Sequence, residues 1–303
     1  MRKPTIIRIL MAAVTFFLVI APSGASITRP VIAPMINVLQ LAHTAEASGN
    51  PSSYRAYTGQ GVYAYQGSSG SFRVAQIPAV SEIIRKMEHN TEFKTAYYEA
   101  RMEITLRARV NTKTMRAWVE GNDKALVEFT NKRDLGTRIL KIEDDLWLFS
   151  PTAEEEVRLS GEMLNQGMMG SDFSYQDALE GARLMELYEG RVIGQEALGG
   201  RTCFVLELIA REGAKVSYYR RKMWVDTERY LGLREELYAP SGKLLKQSSV
   251  ENIEKLGDRY YPMSIIMEDM TRKGSSTRFI IESIVFDRAI PADTFTRQRL
   301  TAR

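Results

Sequence analysis

The segment from Tyr98 to Val110 alternates apolar and polar side chains without a single error. Apolar residues occupy every even position, and charged or hydroxyl residues occupy the odd positions between them. A period of two is typical of a β-strand that has one face on a core and the other in water. Such a strand cannot bury its apolar face alone. The rest of the chain must therefore supply partner strands and a cover.

Further strand-like runs follow, separated by turn-forming sequences. About a dozen strands joined by hairpins predict a mainly β (α+β) fold, built as one strongly curved antiparallel sheet. The runs predicted as strands after the first are Thr114–Glu120, Lys124–Thr130, Thr137–Ile142, Leu146–Ser150, Arg191–Ala197, Arg201–Arg211, Val216–Asp226, Gly232–Tyr238, Lys243–Ile253, Tyr260–Met270 and Thr277–Phe286.

One amphipathic helix precedes the strands. Between Ala79 and Asn90, Val80, Ile83, Ile84 and Met87 recur at helical spacing. This apolar stripe needs a surface to lie on, and the predicted sheet supplies it. At the other end of the chain, Ile290–Phe295 predicts a tight turn that inserts Phe295 into the domain.

The first 25 residues have the three parts of a secretory signal. Basic residues at positions 2, 3 and 8 precede the apolar run Ile9–Ile20, and small residues precede a cleavage point after Ala25. The prediction is a periplasmic or secreted protein that is not integral to the membrane after cleavage. Retention of the segment as an anchor is the alternative, against which Pro22 and the small residues argue.

Residues 26–78 contain scattered prolines and a Gly/Ser/Tyr/Gln-rich tract, TGQGVYAYQGSSGSF. This composition is typical of a flexible linker or a disordered segment. We therefore expect four parts: a signal peptide over 1–25, a linker over 26–78, a folded domain over 79–299, and a tail over 300–303.

The charge and the reactive side chains exclude several classes of function. Loss of the signal, which holds three basic and no acidic residues, lowers the formal net charge from +4 to +1 and argues against nucleic acid as a partner. Cys203 follows a turn and precedes an apolar run, which indicates a buried, inert thiol. The two histidines are His43 in the linker and His89, a solvated residue at the end of the helix. No catalytic residue, metal site or cofactor is predicted.

The segment Gly161–Gly181 interrupts the strands. Its first part holds Met163, Met168 and Met169, which are flexible and suited to variable apolar partners, although each could equally fill an uneven core. Its second part, Gly170–Asp177, reads GSDFSYQD. Ser171, Asp172 or Ser174 is expected to cap a short helix over Gln176–Leu184. The carboxylates Asp172 and Asp177 are explained better by capping than by acid–base catalysis.

A one-sided sheet of this length leaves an apolar groove that two short helices and a loop cannot fill. Burial of acyl carbon contributes about 0.8 kcal/mol per CH₂, which makes a lipid a natural occupant. Plain core packing is the alternative for each lining residue. The residues predicted to line or gate the groove are Met102, Ile104, Leu106, Met163, Met168, Met169 and Phe173.

The order of these elements, with GSDFSYQD at 170–177, Gly200–Cys203, Met223–Asp226 and Ile290–Phe295, resembles the outer-membrane lipoprotein-sorting proteins of the LolA-like superfamily. More exactly, it is similar to the branch typified by a treponemal periplasmic protein, over about residues 79–299. The resemblance implies an incomplete barrel capped by helices, whose cavity accepts acyl chains of lipoproteins or other lipids in the periplasm.

The same resemblance implies an inner-membrane exporter as a partner. It also assigns a structural role to Gly170, Ser171, Asp172, Tyr175, Asp177, Trp224 and Asp226. An envelope sensor or exporter-associated protein that uses this fold to bind another protein is the alternative function.

Overall fold

A computed structural model describes residues 55–58, 62–66, 72–180 and 184–302 of the chain. In these ranges the chain forms sixteen strands in two antiparallel sheets, one of three strands and one of thirteen. The strands are β1 (Arg55–Thr58), β2 (Val62–Gln66), β3 (Phe72–Gln76), β4 (Thr95–Leu106), β5 (Arg109–Glu120), β6 (Lys124–Phe129), β7 (Arg138–Ile142), β8 (Asp145–Ser150), β9 (Glu155–Leu159), β10 (Tyr188–Leu198), β11 (Arg201–Ala210), β12 (Arg220–Asp226), β13 (Gly232–Tyr238), β14 (Leu244–Leu256), β15 (Arg259–Asp269) and β16 (Ser275–Phe286).

The helices of the described residues are few and mostly short. The longest, α1 (Val80–Thr91), has 12 residues. The others are α2 (Tyr175–Glu180), α3 (Leu184–Leu187) and α4 (Arg297–Thr301), and two 3₁₀ turns occupy Gly161–Asn165 and Met168–Gly170. None of the helices in these ranges has the length and apolar character needed to cross a bilayer.

The large sheet runs in the order β10-β11-β12-β13-β14-β15-β16-β4-β5-β6-β7-β8-β9. Every neighbouring pair is a chain-order hairpin except β16–β4, which joins the two blocks of strands through pairs such as Phe279 with Met102. The edges β10 and β9 do not pair with each other, so the sheet is open. The predicted mainly β, incompletely closed fold is confirmed.

We call the side of the sheet on which α1 lies the inner face. Side chains from β11 at one end to β8 at the other, such as Phe204 and Leu146, belong to a single buried cluster on this face. Strands so far apart in one sheet share a core only if the sheet curves around it. Helix α1 supplies Ile83, Ile84 and Met87, which are fully or almost fully buried in this cluster, as its spacing predicts.

The outer face is not exposed to solvent over its whole area. The C-terminal residues after β16 fold back over β5–β8, where Phe295 and Leu300 pack on Leu126 and Leu140. The predicted insertion of Phe295 is confirmed, and its destination is this outer face. Near the other edge, Cys203, Val205 and Trp224 form a small outer cluster.

The prediction of one long strand from Tyr98 to Val110 is wrong. The alternation from Tyr98 to Val110 is not one strand, because β4 ends at Leu106 and the chain reverses at Arg107 and Ala108, both with positive φ (47° and 65°). A two-residue hairpin turn preserves the period of two, and neither turn residue is the Gly or Asn that usually marks such a turn. The strand β9 was also not predicted.

Strands β1–β3 lie inside the segment predicted to be a linker, and they pair with one another in the small sheet. Part of residues 26–78 is therefore regular β-structure. The alternation of Tyr and Val with small residues there is a strand signal that the Gly/Ser-rich composition obscured. Residues 1–54, 59–61 and 67–71, which include the predicted signal peptide and most of the predicted linker, lie outside the described residues.

Candidate functional site

The inner face carries the predicted lining residues at its centre. Met102 and Ile104 of β4 are 1% and 9% exposed and belong to the inner cluster. Phe173 reaches the same cluster from the Met-rich segment and is 2% exposed. Leu106 does not join them, because it stands at the β4–β5 hairpin tip and is 40% exposed. The structure brings six of the seven predicted lining residues together.

The Met-rich segment lies over these residues as an irregular cover. Met163, Met168 and Met169 are half-buried and pack against the inner cluster without belonging to its buried part. The segment folds mainly on itself: the Met168 amide donates to the Phe173 carbonyl (2.6 Å), and the Tyr175 amide donates to the Gln166 carbonyl (3.2 Å). We call residues 161–169 the Met-rich cover.

The tight fold of the Met-rich cover requires a glycine at position 167. A Cβ at Gly167 would overlap the carbonyl oxygen of Ser171. That carbonyl belongs to backbone that cannot give way without moving the whole turn. Gly167 therefore permits the chain to double back so that Phe173 points into the core.

Asp172 ties the end of the cover to the sheet. Its carboxylate, 3% exposed, accepts hydrogen bonds from Ser275 Oγ (2.5 Å) and Thr277 Oγ1 (2.7 Å) of β16. Its amide also donates to Thr277 Oγ1 (2.9 Å). The prediction that Asp172 caps a helix is wrong, because its side chain is fully engaged with β16.

Loss of this anchor should destabilise the fold. In Asp172→Ala the Ser275 and Thr277 hydroxyls lose a buried, charged acceptor, and we expect the free energy of unfolding to fall by about 1–3 kcal/mol. Urea denaturation followed by circular dichroism measures this. Asp269→Ala is the control, since Asp269 bonds only to an exposed turn at Thr271. Equal stability of Asp172→Ala and wild type would contradict the anchoring role.

Ser174 and Asp177 start α2 with a capping box, in which two side chains satisfy each other's free amides. The Asp177 amide donates to Ser174 Oγ (3.1 Å), and the Ser174 amide donates to Asp177 Oδ2 (2.8 Å). Ser174 is thus the cap among the three candidates predicted. Ser171 instead donates to the Phe173 carbonyl (3.1 Å).

A buried charged cluster, which sequence reasoning missed, holds α2 against the sheet. Asp177 accepts from Tyr218 Oη (2.8 Å) and Lys246 Nζ (3.2 Å), while Glu180 accepts from the Ser217 amide (2.6 Å) and hydroxyl (2.9 Å). Below them lies the ion pair of Arg221 on β12 and Glu235 on β13. Its Nε and Oε1 are 3.5 Å apart, and both side chains are fully buried.

The surroundings of this pair keep Arg221 charged. Burial alone lowers the pKa of its guanidinium, but electrostatic interactions with Glu235, Tyr188, Glu180 and Tyr218 outweigh it, so the pKa is raised. The guanidinium carbon lies 5.3 Å from the Tyr188 ring centre and 5.6 Å from that of Tyr218. Burial raises the pKa of Glu235 to about 7 against the attraction of Arg221.

Glu235 should make stability depend on pH. Its pKa in the folded protein is about 7 and its ordinary value is 4.5, so folding takes up a proton between these values. The stability that this group contributes is complete below its unfolded pKa and falls as the pH rises towards 7. We expect the unfolding free energy of wild type relative to Glu235→Gln to fall by up to about 1.4 kcal/mol per pH unit in that window. Urea titrations at several pH values test this, and a difference that rises with pH would contradict it.

Two further motif residues, Trp224 and Asp226, bond to other groups of the protein. Trp224 Nε1 donates to Glu196 Oε2 (2.6 Å) on the outer face. The fully buried Asp226 is paired with Arg201 and accepts from the amides of Glu228 (2.9 Å) and Arg229 (3.0 Å). Burial raises the pKa of Asp226, but Arg201 and these amides outweigh it and lower the pKa overall.

The cysteine and the histidine within the described residues lie apart from each other and from the residues that line the inner face. Cys203 is fully buried on the outer face, and burial raises the pKa of its thiol to about 11. The His89 side chain is 64% exposed at the end of α1, with Nε2 3.8 Å from Asp258. Both positions agree with the roles predicted from the sequence.

Solved structures with this architecture include three bacterial proteins. A DUF1329 family protein from Desulfovibrio piger superposes with a TM-score of 0.67 at 24% identity, covering 72% of this chain and 96% of its own. A putative outer membrane lipoprotein-sorting protein domain from Vibrio parahaemolyticus gives 0.66 at 24% identity, covering 73% and 97%. A LolA superfamily protein from Nitrosomonas europaea gives 0.61 at 22% identity, covering 73% and 99%.

At this level of identity the likeness establishes the fold, which is LolA-like as the sequence motifs indicated. A search of curated protein sequences gives no match. A family model described only as "Uncharacterized protein"-like matches residues 121–302, more than half of the chain. The chain therefore belongs to this family of uncharacterized proteins and has the fold of the LolA superfamily.

Proposed function

We propose that the protein is a non-enzymatic lipid carrier of the periplasm that holds acyl chains of lipoproteins or other lipids on its inner face. The observation that carries the proposal is the nature of the cover. One side of the curved sheet is lined with apolar side chains, and half-buried methionines on irregular backbone cover its centre. A covering of this kind can be displaced by a ligand of similar polarity.

The magnitudes favour such an exchange. Full burial of one methionine contributes roughly 1.5–3 kcal/mol, and uncovering a half-buried one costs roughly half of that. The cost for the three methionines together is roughly 2–4.5 kcal/mol. Burial of about eight methylenes of an acyl chain contributes roughly 6 kcal/mol. The acyl chain can thus replace the cover at a net gain. The Asp172 anchor and the charged cluster around α2 keep the rest of the domain in place meanwhile.

The carrier unit in this proposal is the domain at 79–299, exported by the segment at 1–25, with an inner-membrane exporter as the donor of the lipid. Its ligand-contacting residues are Met102, Ile104 and Phe173 beneath the cover, with Met163, Met168 and Met169 in the cover. Leu106 contacts ligand only at the rim of the inner face, where it is exposed.

Extraction of the purified protein with organic solvent, followed by mass spectrometry, tests the proposal. We expect co-purified lipid or, after delipidation, saturable uptake of a fluorescent fatty acid. Recovery free of lipid together with no uptake would exclude a carrier.

A second candidate is an interaction protein that uses this fold to bind a protein partner. The occupation of the inner face by the protein's own side chains, among them Ile83, Met87 and Phe173, favours it. It predicts that the cover stays closed and that partner capture from an envelope extract survives substitutions on the inner face. Uptake of fatty acid that is lost on those same substitutions would decide for the carrier.

A further inference from the structure

Two neighbouring hairpin tips form a basic surface with exposed apolar side chains. The β4–β5 tip exposes Leu106 (40%) and Val110 (62%), and the β15–β16 tip follows Met270 (50% exposed). Four basic residues stand among them, all exposed. We call this surface the basic rim, and it consists of Leu106, Arg107, Arg109, Val110, Met270, Arg272 and Lys273.

The two tips form one continuous surface. Leu106 pairs with Ser275 across β4 and β16, and the Arg107 amide donates to the Gly274 carbonyl (3.1 Å). A surface cleft of about 750 Å³ lies between the tips, bounded by Leu106, Arg107 and residues 271–274. The rim is therefore a fixed part of the sheet's end.

The cations of the rim are largely uncompensated. Among the described residues, no carboxylate forms an ion pair with Arg107, Arg109 or Lys273. The carboxylate nearest to Arg272 is the buried Asp172, whose Oδ1 is 3.9 Å from Nη1. The turns at the opposite end of the sheet carry charges of both signs. Their basic residues include Arg229, Arg259 and Arg288, and their acidic residues are Asp123, Glu143, Asp144, Glu228, Asp258 and Asp287.

The backbone at the tip is also strained. Arg107 and Ala108 both have left-handed φ values (47° and 65°), a conformation that costs an L-residue roughly 1–2 kcal/mol relative to the right-handed form. Asn-Gly is the pair that favours such a turn. The chain thus keeps an exposed cation at this turn in place of a pair of residues that would make the turn more stable. Local strain of this kind points to a role for the tip.

We propose that the basic rim docks on the surface of an anionic phospholipid bilayer. Each Lys or Arg near such a surface contributes about 1 kcal/mol, and exposed apolar side chains between cations insert below the headgroups. Docking would place Asp172, which follows the Met-rich cover and anchors it to β16, close to the bilayer that supplies the acyl chains. That last step rests on the carrier function, whereas docking rests on the rim alone.

A fluorescent reporter of local environment tests docking. The full chain with Val110→Cys is labelled with the polarity-sensitive dye NBD; Cys203 is buried and stays unlabelled. Addition of phosphatidylglycerol-containing vesicles should shift the NBD emission to the blue. Vesicles of pure phosphatidylcholine should produce no shift, and added salt should abolish the shift seen with the anionic vesicles. The control, Lys255→Cys at the opposite end of the sheet, should not respond.

A charge variant and a matched control complete the test. Arg107→Glu with Lys273→Glu should weaken the partition of the Val110→Cys reporter into anionic vesicles by at least about tenfold. Arg85→Glu with Lys255→Glu makes the same change of net charge away from the rim and should leave it unchanged. All variants share residues 1–54, so differences between them report on the rim.

A second variant separates docking from folding. Arg107→Asn with Ala108→Gly should raise the melting temperature, because the strain is relieved, and yet weaken docking. No NBD shift, an equal shift with phosphatidylcholine, or equal effects of the two charge variants would overturn the proposal. Uptake of fatty acid without vesicles should be the same in all rim variants, so failure of docking and failure of the carrier function are distinguishable.

Discussion

Arg221→Met is expected to lower the free energy of unfolding by about 3–5 kcal/mol, the largest effect of any single substitution discussed above. The substitution leaves Glu235 fully buried without its cation, and Glu180 loses the same positive charge nearby. The rings of Tyr188 and Tyr218 lose their guanidinium contact as well. Urea denaturation followed by tryptophan fluorescence measures the loss.

The double variant Arg221→Met with Glu235→Leu keeps this prediction testable if the single variant does not fold. A buried ion pair replaced as a whole by apolar residues is often neutral or stabilising, so the double variant should recover most of the loss. A single variant within about 1 kcal/mol of wild type, or a double variant that is less stable than the single one, would show that the pair is not the source of this stability.

Met168→Ser with Met169→Ser is expected to weaken fatty acid uptake by at least about tenfold while leaving the fold intact. Both side chains are half-buried in the cover, so the free protein loses only part of their burial energy and keeps its fold. In the complex they would close over the acyl chain, and two lost apolar contacts of about 1 kcal/mol each exceed the roughly 1.4 kcal/mol that a tenfold change requires. Titration of the delipidated protein with a fluorescent fatty acid measures it.

Met270→Ser is the matched control for this pair. Met270 is exposed at a hairpin tip and lies outside the inner cluster, so its loss should leave uptake from solution unchanged. Circular dichroism should show the same melting temperature for the double serine variant and wild type within a few degrees. Unchanged uptake, or uptake lost together with the fold, would contradict a movable cover.

The sheet could be predicted from the sequence because its signal is local. Alternation of period two in β4, and helical spacing of Ile83, Ile84 and Met87 in α1, depend only on which face of an element is buried. Strand β13 was predicted at its observed bounds, Gly232–Tyr238, because a turn stands on either side of it. The capping by Ser174 follows likewise from a pattern four residues long.

The rest of the site depends on contacts between distant strands. Arg221 of β12 pairs with Leu237 of β13, and Met223 pairs with Glu235, so only the register of the two strands places Arg221 and Glu235 diagonally across from each other. A charge at an inward position of an alternating strand was the available signal. Asp172 meets Ser275 and Thr277 across more than 100 residues of sequence, so the helix cap, a local explanation, was preferred wrongly.

The reversal at Arg107 and Ala108 illustrates the same limit in the backbone. Neither residue favours positive φ, so nothing local announces the turn, and tertiary pairing of β4 with β5 imposes it. Leu106 was consequently placed on the inner face by parity, although it stands where the sheet ends.

Photo-crosslinking tests the central claim, that an acyl chain lies between the inner face and the Met-rich cover. The delipidated protein would be loaded with a fatty acid that carries a diazirine in mid-chain, irradiated and digested, and the labelled peptides identified by mass spectrometry. The account predicts labels on peptides that contain Met102 and Ile104 and on those that contain Met168 and Met169, with excess palmitate suppressing both. Labels confined to the outer face, at Trp118 or Phe295, or insensitive to palmitate, would contradict it.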